Sequence, residues 1–502
     1  MRRAGVGGAV VGAFLVCAVV APSAQAAPNP GPPPAPPALP GPWPPSEVLA
    51  VDPSTVDPPD TVSARAVNCP PAVSGVRTSA PGSGKTVALT FDDGPGPESA
   101  GVLRVLEDAG VAATFFDIGV NQTVRPEIVR AVDDQDYLLG NHSWSHQDLS
   151  RLSSSGQAAE MDRATAQQRS LTGGSPCVFR PPYGAYNSTT LSLARSRNMS
   201  VWNWSVDTGD WEAPGAGSTA WTDRIVSRAQ AGGSQSHPVI LMHTQPDGSV
   251  STLAALPRII TFYRDRGYTF VDLLGRVADR PVTGDWDGDG DVTPGVVRGS
   301  TWYLRNSNSS GPADITLTFG YPYDQAVVGD WNGDGTDTPG VVRGGTWFLR
   351  DTNVPADPGR TTLTFGTSSY KPVAGDWNGD GVTTPGVVTG GTWHLRATNA
   401  PTSGKTVLTF GAAGYRPVTG DWNRDGTTTP GMVSGTTWHL RDSNAASSGK
   451  VTVSYGASTD RLVTGDWNGD GITSTGVVRG DGWYLRDALS SGGAGTIFSY
   501  GP

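Results

Sequence analysis

Two aspartates, Asp92 and Asp93, stand side by side directly after the apolar run "VALTF". Adjacent like charges repel, and burial makes each harder to ionise, so a cation, a metal or both must compensate them. The chain offers partners of the right kinds elsewhere. "NHSWSH" sets His142 and His146 four apart, a spacing that brings two imidazoles to one face of a helical turn and suits a pair of metal ligands. "FRPPYG" places Arg180, a permanently charged guanidinium, before a stiff Pro-Pro turn. "SVDTGDW" ends on Asp210 and Trp211, and "VILMHT" carries His243 at the close of another apolar run. Each cluster is weak alone. An H-x-x-x-H, an arginine before prolines and a single histidine after a strand all occur as plain structure.

Their placement along the chain gives them weight. Over residues 66–278, short apolar runs (87–91, 113–118, 138–141, 178–180, 200–206, 239–243 and 269–273) alternate with amphipathic stretches such as 98–109 and 253–266. Strands alternating with helices imply a parallel sheet with crossover helices. Seven strands imply an α/β distorted (β/α)7 barrel or near-barrel. All five clusters follow predicted strands, so a barrel gathers them on its C-terminal rim, where such folds keep their reactive groups.

In this order, "TFDDGP", "HSWSH", "RPPYG", "DTGDW" and "LMH" resemble the five motifs of the polysaccharide deacetylase family, the NodB-homology domain of carbohydrate esterase family 4. The resemblance covers about residues 69–274. It implies one divalent metal, usually zinc, held by Asp93, His142 and His146, a set that leaves positions open for water and substrate. It makes Asp92 the general base, oriented and kept ionised by Arg180. It assigns the backbone N–H of Tyr183 to the oxyanion, and His243 to the general acid, with Asp210 holding its charged form. Trp211 and Leu241 shape the pocket. One departure is visible: the family usually has Asp after the last histidine, and this chain has Thr244.

The remaining chain sets the context. Met1-Arg2-Arg3, an apolar run to about residue 20 and Ala24-Gln25-Ala26 follow the layout of a secretory signal peptide over residues 1–26. The expected product is a secreted protein, extracellular or cell-wall associated, with no membrane span. Residues 27–65 are a Pro-rich spacer that tends to extended polyproline II. Beyond the signal segment two cysteines remain, Cys69 and Cys177, and an even pair in an oxidising compartment implies one disulfide. A formal net charge of -10 argues against a nucleic-acid partner.

Residues 281–502 change texture. A unit of the type "PVTGDWDGDGDVTPGVVRGSTWYLR" occurs five times, with aspartates before tryptophan at 285, 330, 376, 421 and 466. A period of about 45 residues with some four short strands per unit implies an all-β repeat domain, a five-bladed β-propeller. "DWNGDG" resembles calcium loops and the FG-GAP and VCBS-type repeats of integrin-like propellers. Its candidate ligands are Asp285, Asp287, Asp289, Asp330, Asp334, Asp376, Asp380, Asp421, Asp425, Asp466 and Asp470. The ninth position is Thr or Ser in every unit, so the loops are either weak calcium sites or turns held by Asx hydrogen bonds. The two tryptophans per unit are expected in the blade core. The repeats are left as a binder of cell-wall glycan, a binder of protein, or a spacer.

Together these features imply a secreted metal-dependent N-deacetylase of an N-acetylglucosamine glycan, peptidoglycan or chitin-like. The alternatives are an O-acetyl xylan esterase with the same site and a glycan-binding adhesive protein.

Overall fold

The computed structural model describes residues 69–501, apart from 246–248, 356–359, 401–402, 413, 446–447 and 491. The expected signal peptide and the whole Pro-rich spacer lie outside the described residues. The first domain is built on strands β1 (Val76–Arg77), β2 (Thr86–Asp92), β3 (Ala113–Asp117), β4 (Leu138–Asn141), β5 (Val178–Phe179), β6 (Ser200–Trp202), β7 (Val206–Asp207), β8 (Val239–His243) and β9 (Thr269–Phe270). Helices α1 (Ser99–Ala109), α2 (Gly119–Val124), α3 (Pro126–Asp134), α4 (Ser154–Thr172), α5 (Ser188–Ser196), α6 (Thr219–Gln230) and α7 (Ser249–Asp265) connect them.

The order is β1-β6-β5-β4-β3-β2-β8-β7, with β9 also paired to β2, and every pairing is parallel. The parallel α/β architecture stands, but the sheet curls without closing: β1 and β7 are its free edges among the described strands. The count also differs from seven. The run at 200–206 breaks at Asn203–Ser205 into β6 and β7, which pair with different neighbours, and β1 adds an edge strand.

Strand β2 is buried along its whole length, and its two faces divide the labour. Val87, Leu89 and Phe91 pack outward against helix residues such as Leu103 and Ile259. The alternate residues Ala88, Thr90 and Asp92 face the concave side. Ala88 joins Phe116, Val178, Trp202 and Val239 there. The small and polar members of that set leave room for a buried guanidinium. Cys69 and Cys177 are bonded, with Cα atoms 5.2 Å apart, and tie the entry of the domain to the residue before β5.

The second domain is five four-stranded antiparallel sheets, the first spanning Asp279–Gly284, Thr293–Arg298, Thr301–Leu304 and Ile315–Thr318. Their innermost strands adjoin in a closed ring, the fifth beside the first. Each junction repeats one backbone bond at 2.7–2.8 Å: Asp337, Thr383, Thr428, Thr473 and Val292 donate to the carbonyls of Asp285, Asp330, Asp376, Asp421 and Asp466. The last of these joins blade one to blade five and makes the domain a five-bladed propeller. Asn308, Asn353, Asn399 and Asn444 fasten the first four blades to the tryptophan carbonyl of a neighbouring blade. Both tryptophans of every unit are buried, as blade core requires.

Candidate active site

Asp93 follows β2 with φ 67°, a left-handed turn that swings its carboxylate off the strand. Its Oδ1 lies 3.3 Å from His142 Nε2 and 3.1 Å from His146 Nε2. The histidines do not sit on a helical turn. They flank an irregular loop after β4, and Ser143 and His146 both take positive φ, 64° and 58°. Glu160 of α4 shapes that loop by accepting the N–H groups of Trp144 and Ser145. Asn121 of α2 donates to the Asp93 carbonyl at 2.8 Å.

The donor set fits a divalent cation. His142 Nδ1 lies 2.7 Å from the Arg180 carbonyl, an acceptor only, so Nδ1 carries the proton and Nε2 is free to offer a lone pair. Asp93 Oδ1 is buried and has no hydrogen-bond partner among the described residues. Separations of 3.1 and 3.3 Å match neighbouring ligands of a tetrahedral ion, which bonds of roughly 2.0–2.1 Å place about 3.3 Å apart. Burial opposes charge on Asp93, but the His146 charge and the closeness of both imidazoles outweigh it and hold its carboxyl well below the ordinary value. Burial likewise opposes charge on His142, and Asp92 and Asp93 override it upward. The cluster needs positive charge, which either protons on the imidazoles or one cation supplies.

Asp92 stays on the strand and points to a different partner. Arg180, fully buried just after β5, donates to Asp92 Oδ1 at 2.7 Å and to Thr90 Oγ1 at 2.8 Å. The carbonyls of Trp202 and Asn203 take its other donors, and its guanidinium lies 4.3 Å from the Phe116 ring. Four of its five N–H donors are thus engaged, so the arginine can hold the carboxylate in one orientation. Asp92 Oδ2 remains toward the site, 3.7 Å from His142 Nε2.

On the other side of β2, His243 is the register partner of Asp92. Its Nδ1 bonds Asp210 Oδ1 at 2.8 Å, and its backbone N–H donates to Asp210 Oδ2 at 2.8 Å. Thr208 and Thr252 also donate to that carboxylate, at 3.0 and 2.6 Å. Burial works against the imidazolium, but the Asp210 charge prevails and pushes His243 up to about 9. The ring is therefore protonated at neutral pH.

The polysaccharide deacetylase family model matches residues 79–202. A chitooligosaccharide deacetylase from Sinorhizobium fredii is 34% identical over 197 residues, which cover 36% of this chain and 87% of that one. The chain belongs to the polysaccharide deacetylase family. A peptidoglycan-N-acetylglucosamine deacetylase from Bacillus cereus is 33% identical over 189 residues, 37% of this chain and 66% of the relative. The peptidoglycan-N-acetylglucosamine deacetylase PgdA of Listeria monocytogenes is 34% identical over 193 residues, 38% of each chain. The match thus spans just under two thirds of the first relative's length and less than two fifths of the second's. Among solved structures, a peptidoglycan N-acetylglucosamine deacetylase bound to 4-naphthalen-1-yl-N-oxidanyl-benzamide is 33% identical. It aligns over 40% of this chain and 91% of that one, with a TM-score of 0.37.

The other residues of the deacetylase motifs fall around the same rim. Tyr183 has φ 61° in the turn after Arg180, and its half-exposed ring meets the His146 ring edge-on at 4.6 Å. The turn uses the N–H groups of Gly184 and Ala185 internally and gives that of Tyr183 no described protein acceptor. Trp211 is exposed beside Asp210, while Leu241 is buried two residues before His243 on the same strand face. Sequence reasoning missed Thr90, Asn121, Glu160, Thr208 and Thr252. Thr90 and Thr208 had a signal, their places inside "TFDDGP" and "DTGDW"; the others act from segments without a motif.

The propeller loops hold their carboxylates differently. Asp330 accepts the N–H groups of Gly333, Asp334 and Gly335; Asp285 and Asp376 do the same within their own loops, and Asp421 and Asp466 accept the last two of the three. Asp334, Asp380, Asp425 and Asp470 accept from the Asn two residues earlier. The ninth-position Thr338, Thr384 and Thr429 are buried, with hydroxyls given to the blade's own carbonyls. Only in the first loop do three carboxylates, Asp285, Asp287 and Asp289, converge among the described residues.

Proposed function

We propose that the chain is an exported, metal-dependent deacetylase that hydrolyses the N-acetyl groups of N-acetylglucosamine in peptidoglycan or a chitin-like glycan. One observation carries this reading: an orphaned Asp93 oxygen facing two imidazole nitrogens, with an arginine-held carboxylate on one side and a carboxylate-held imidazolium on the other. The names of the relatives support the substrate class. Export is supported by the Cys69–Cys177 bond, which suits an oxidising compartment.

Asp93, His142 and His146 would hold the ion. A divalent cation bound there would supply Lewis-acid chemistry, polarising the acetyl carbonyl and acidifying water. Asp92, fixed by Arg180, takes the proton of the water as its oxygen attacks the acetyl carbon. The Tyr183 N–H is free to meet the negative charge that grows on the carbonyl oxygen. His243 then gives its proton to the departing nitrogen, the C–N bond breaks, and acetate and a free amine remain. Of the propeller loops, the first has the carboxylates for calcium.

Acetate release from peptidoglycan and chitooligosaccharides, with metal added or chelator present, tests this reading. Release that stops with chelator and returns with metal is expected; no release from any acetylated glycan by the metal-loaded protein overturns it.

A further inference from the structure

Helices α1 and α3 end badly for their own dipoles. The last turn of α1 carries Glu107 and Asp108, that of α3 Asp133 and Asp134 with Asp136 just beyond, and neither has a basic residue there. A helix C-terminus already bears partial negative charge, so acids at that end destabilise it. Arg264 of α7 donates to the Ala109 carbonyl at 2.5 Å, and further compensation comes from the other domain. Five residues in the propeller are equivalent by register: Arg280, Gln325, Lys371, Arg416 and Arg461 each pair with the second valine of a Gly-Val-Val or Gly-Met-Val strand. Four of the five are basic, and three of those reach the acidic helix ends.

Arg416 lies 2.5 Å from Glu107 Oε1 and 3.1 Å from Asp108 Oδ1, and Lys371 Nζ is 2.5 Å from Asp108 Oδ2. Arg461 donates to the Gln135 carbonyl and sits 3.8 Å from Asp136. The Gly480 N–H and the Gln135 side chain add bonds between α3's end and the fifth blade. The Arg280 side chain packs against Gly110, the left-handed cap of α1, where an added Cβ would come within 2.5 Å of it. Burial raises Asp108, but Lys371 and Arg416 outweigh it and hold it below its ordinary value; Glu107, with burial dominant, is pushed up to about 8. Asp108 is thus the stronger anchor of the two.

We infer that the propeller is an electrostatic brace for the deacetylase domain, its repeated basic position neutralising the acidic C-terminal ends of α1 and α3. The helices return from the strand ends, so their C-termini lie opposite the catalytic rim. The inner blade strands begin at this contact, which turns their Asp-Trp loops away from the barrel.

Hydrogen exchange on the full-length protein tests the inference. Arg416→Met and Lys371→Met should speed exchange at residues 106–110 about fivefold, and Arg461→Met should do so at 132–136, with β2 unchanged. Salt at about 0.5 M should act on the wild type in the same places. Lys371 is partly exposed, so its variant keeps the test valid if the arginine variants do not fold. Unchanged exchange at 106–110 in Lys371→Met together with insensitivity to salt would overturn the brace.

Discussion

The catalytic rim and the propeller loops both place aspartates at strand ends, yet their carboxylates live differently. Asp330 and its four equivalents fill their acceptor sites with amides of their own loops. Asp93 has a buried oxygen that no donor among the described residues satisfies. Asp92 is satisfied, but by Arg180, a residue 88 positions away on another strand. The difference teaches where to look for chemistry among many acids. A carboxylate completed locally is a turn; one left short of donors, or completed by a distant cation, has been kept available for something else.

Breaking the rim should have the largest effects. His142→Ala or Asp93→Asn removes a ligand and should abolish both tight metal binding and acetate release, read by metal analysis and an acetate assay. His243→Ala should lower amide hydrolysis by roughly 100- to 10,000-fold, the usual range for a lost general acid. An O-acetyl ester should suffer less, because its leaving group needs less protonation. Equal losses on both would deny His243 the role of acid.

The pH dependence sharpens the same contrast. With His243 pushed up to about 9, the rate should fall as pH rises through that value, and Asp210→Asn should bring the fall to lower pH. The sign follows for stability too. Because 9 lies above the ordinary 6.5, protonated His243 stabilises the fold fully below about 6.5, and this contribution is lost as pH climbs through 9. On the acid side, protons compete for the imidazoles, so metal affinity measured by titration should weaken as pH falls. The smallest effect belongs to the propeller. Asp376→Ala should leave acetate release unchanged and cost about 1 kcal/mol in the repeat domain's unfolding, since exposed loop amides that the carboxylate had accepted pass to water.

Much of this rim was legible in the sequence because each motif follows an apolar run, and the end of a run locates a strand end. The cysteine count gave the disulfide, and the tryptophan period gave the blades. The histidine pair was legible as candidate ligands but not in its geometry. A spacing of four suits a helix, yet here two left-handed residues and Glu160, with no motif of its own, bring the rings together. The break between β6 and β7 was hidden because "SVWNWSV" reads as one apolar run. Thr252 was illegible for a different reason: a threonine on a helix gains its meaning only from Asp210, 42 positions away. Repeat counting found the blades but could not show that one position in each meets the helix ends of another domain.

The most direct test is acetate release by metal-loaded Asp92→Asn from a glycan that the wild type deacetylates, with bound metal measured on the same sample. One equivalent of metal retained and turnover lowered at least 100-fold is the expected result. Turnover near the wild-type rate in that variant would contradict the account, because the carboxylate that Arg180 holds would then not be the base.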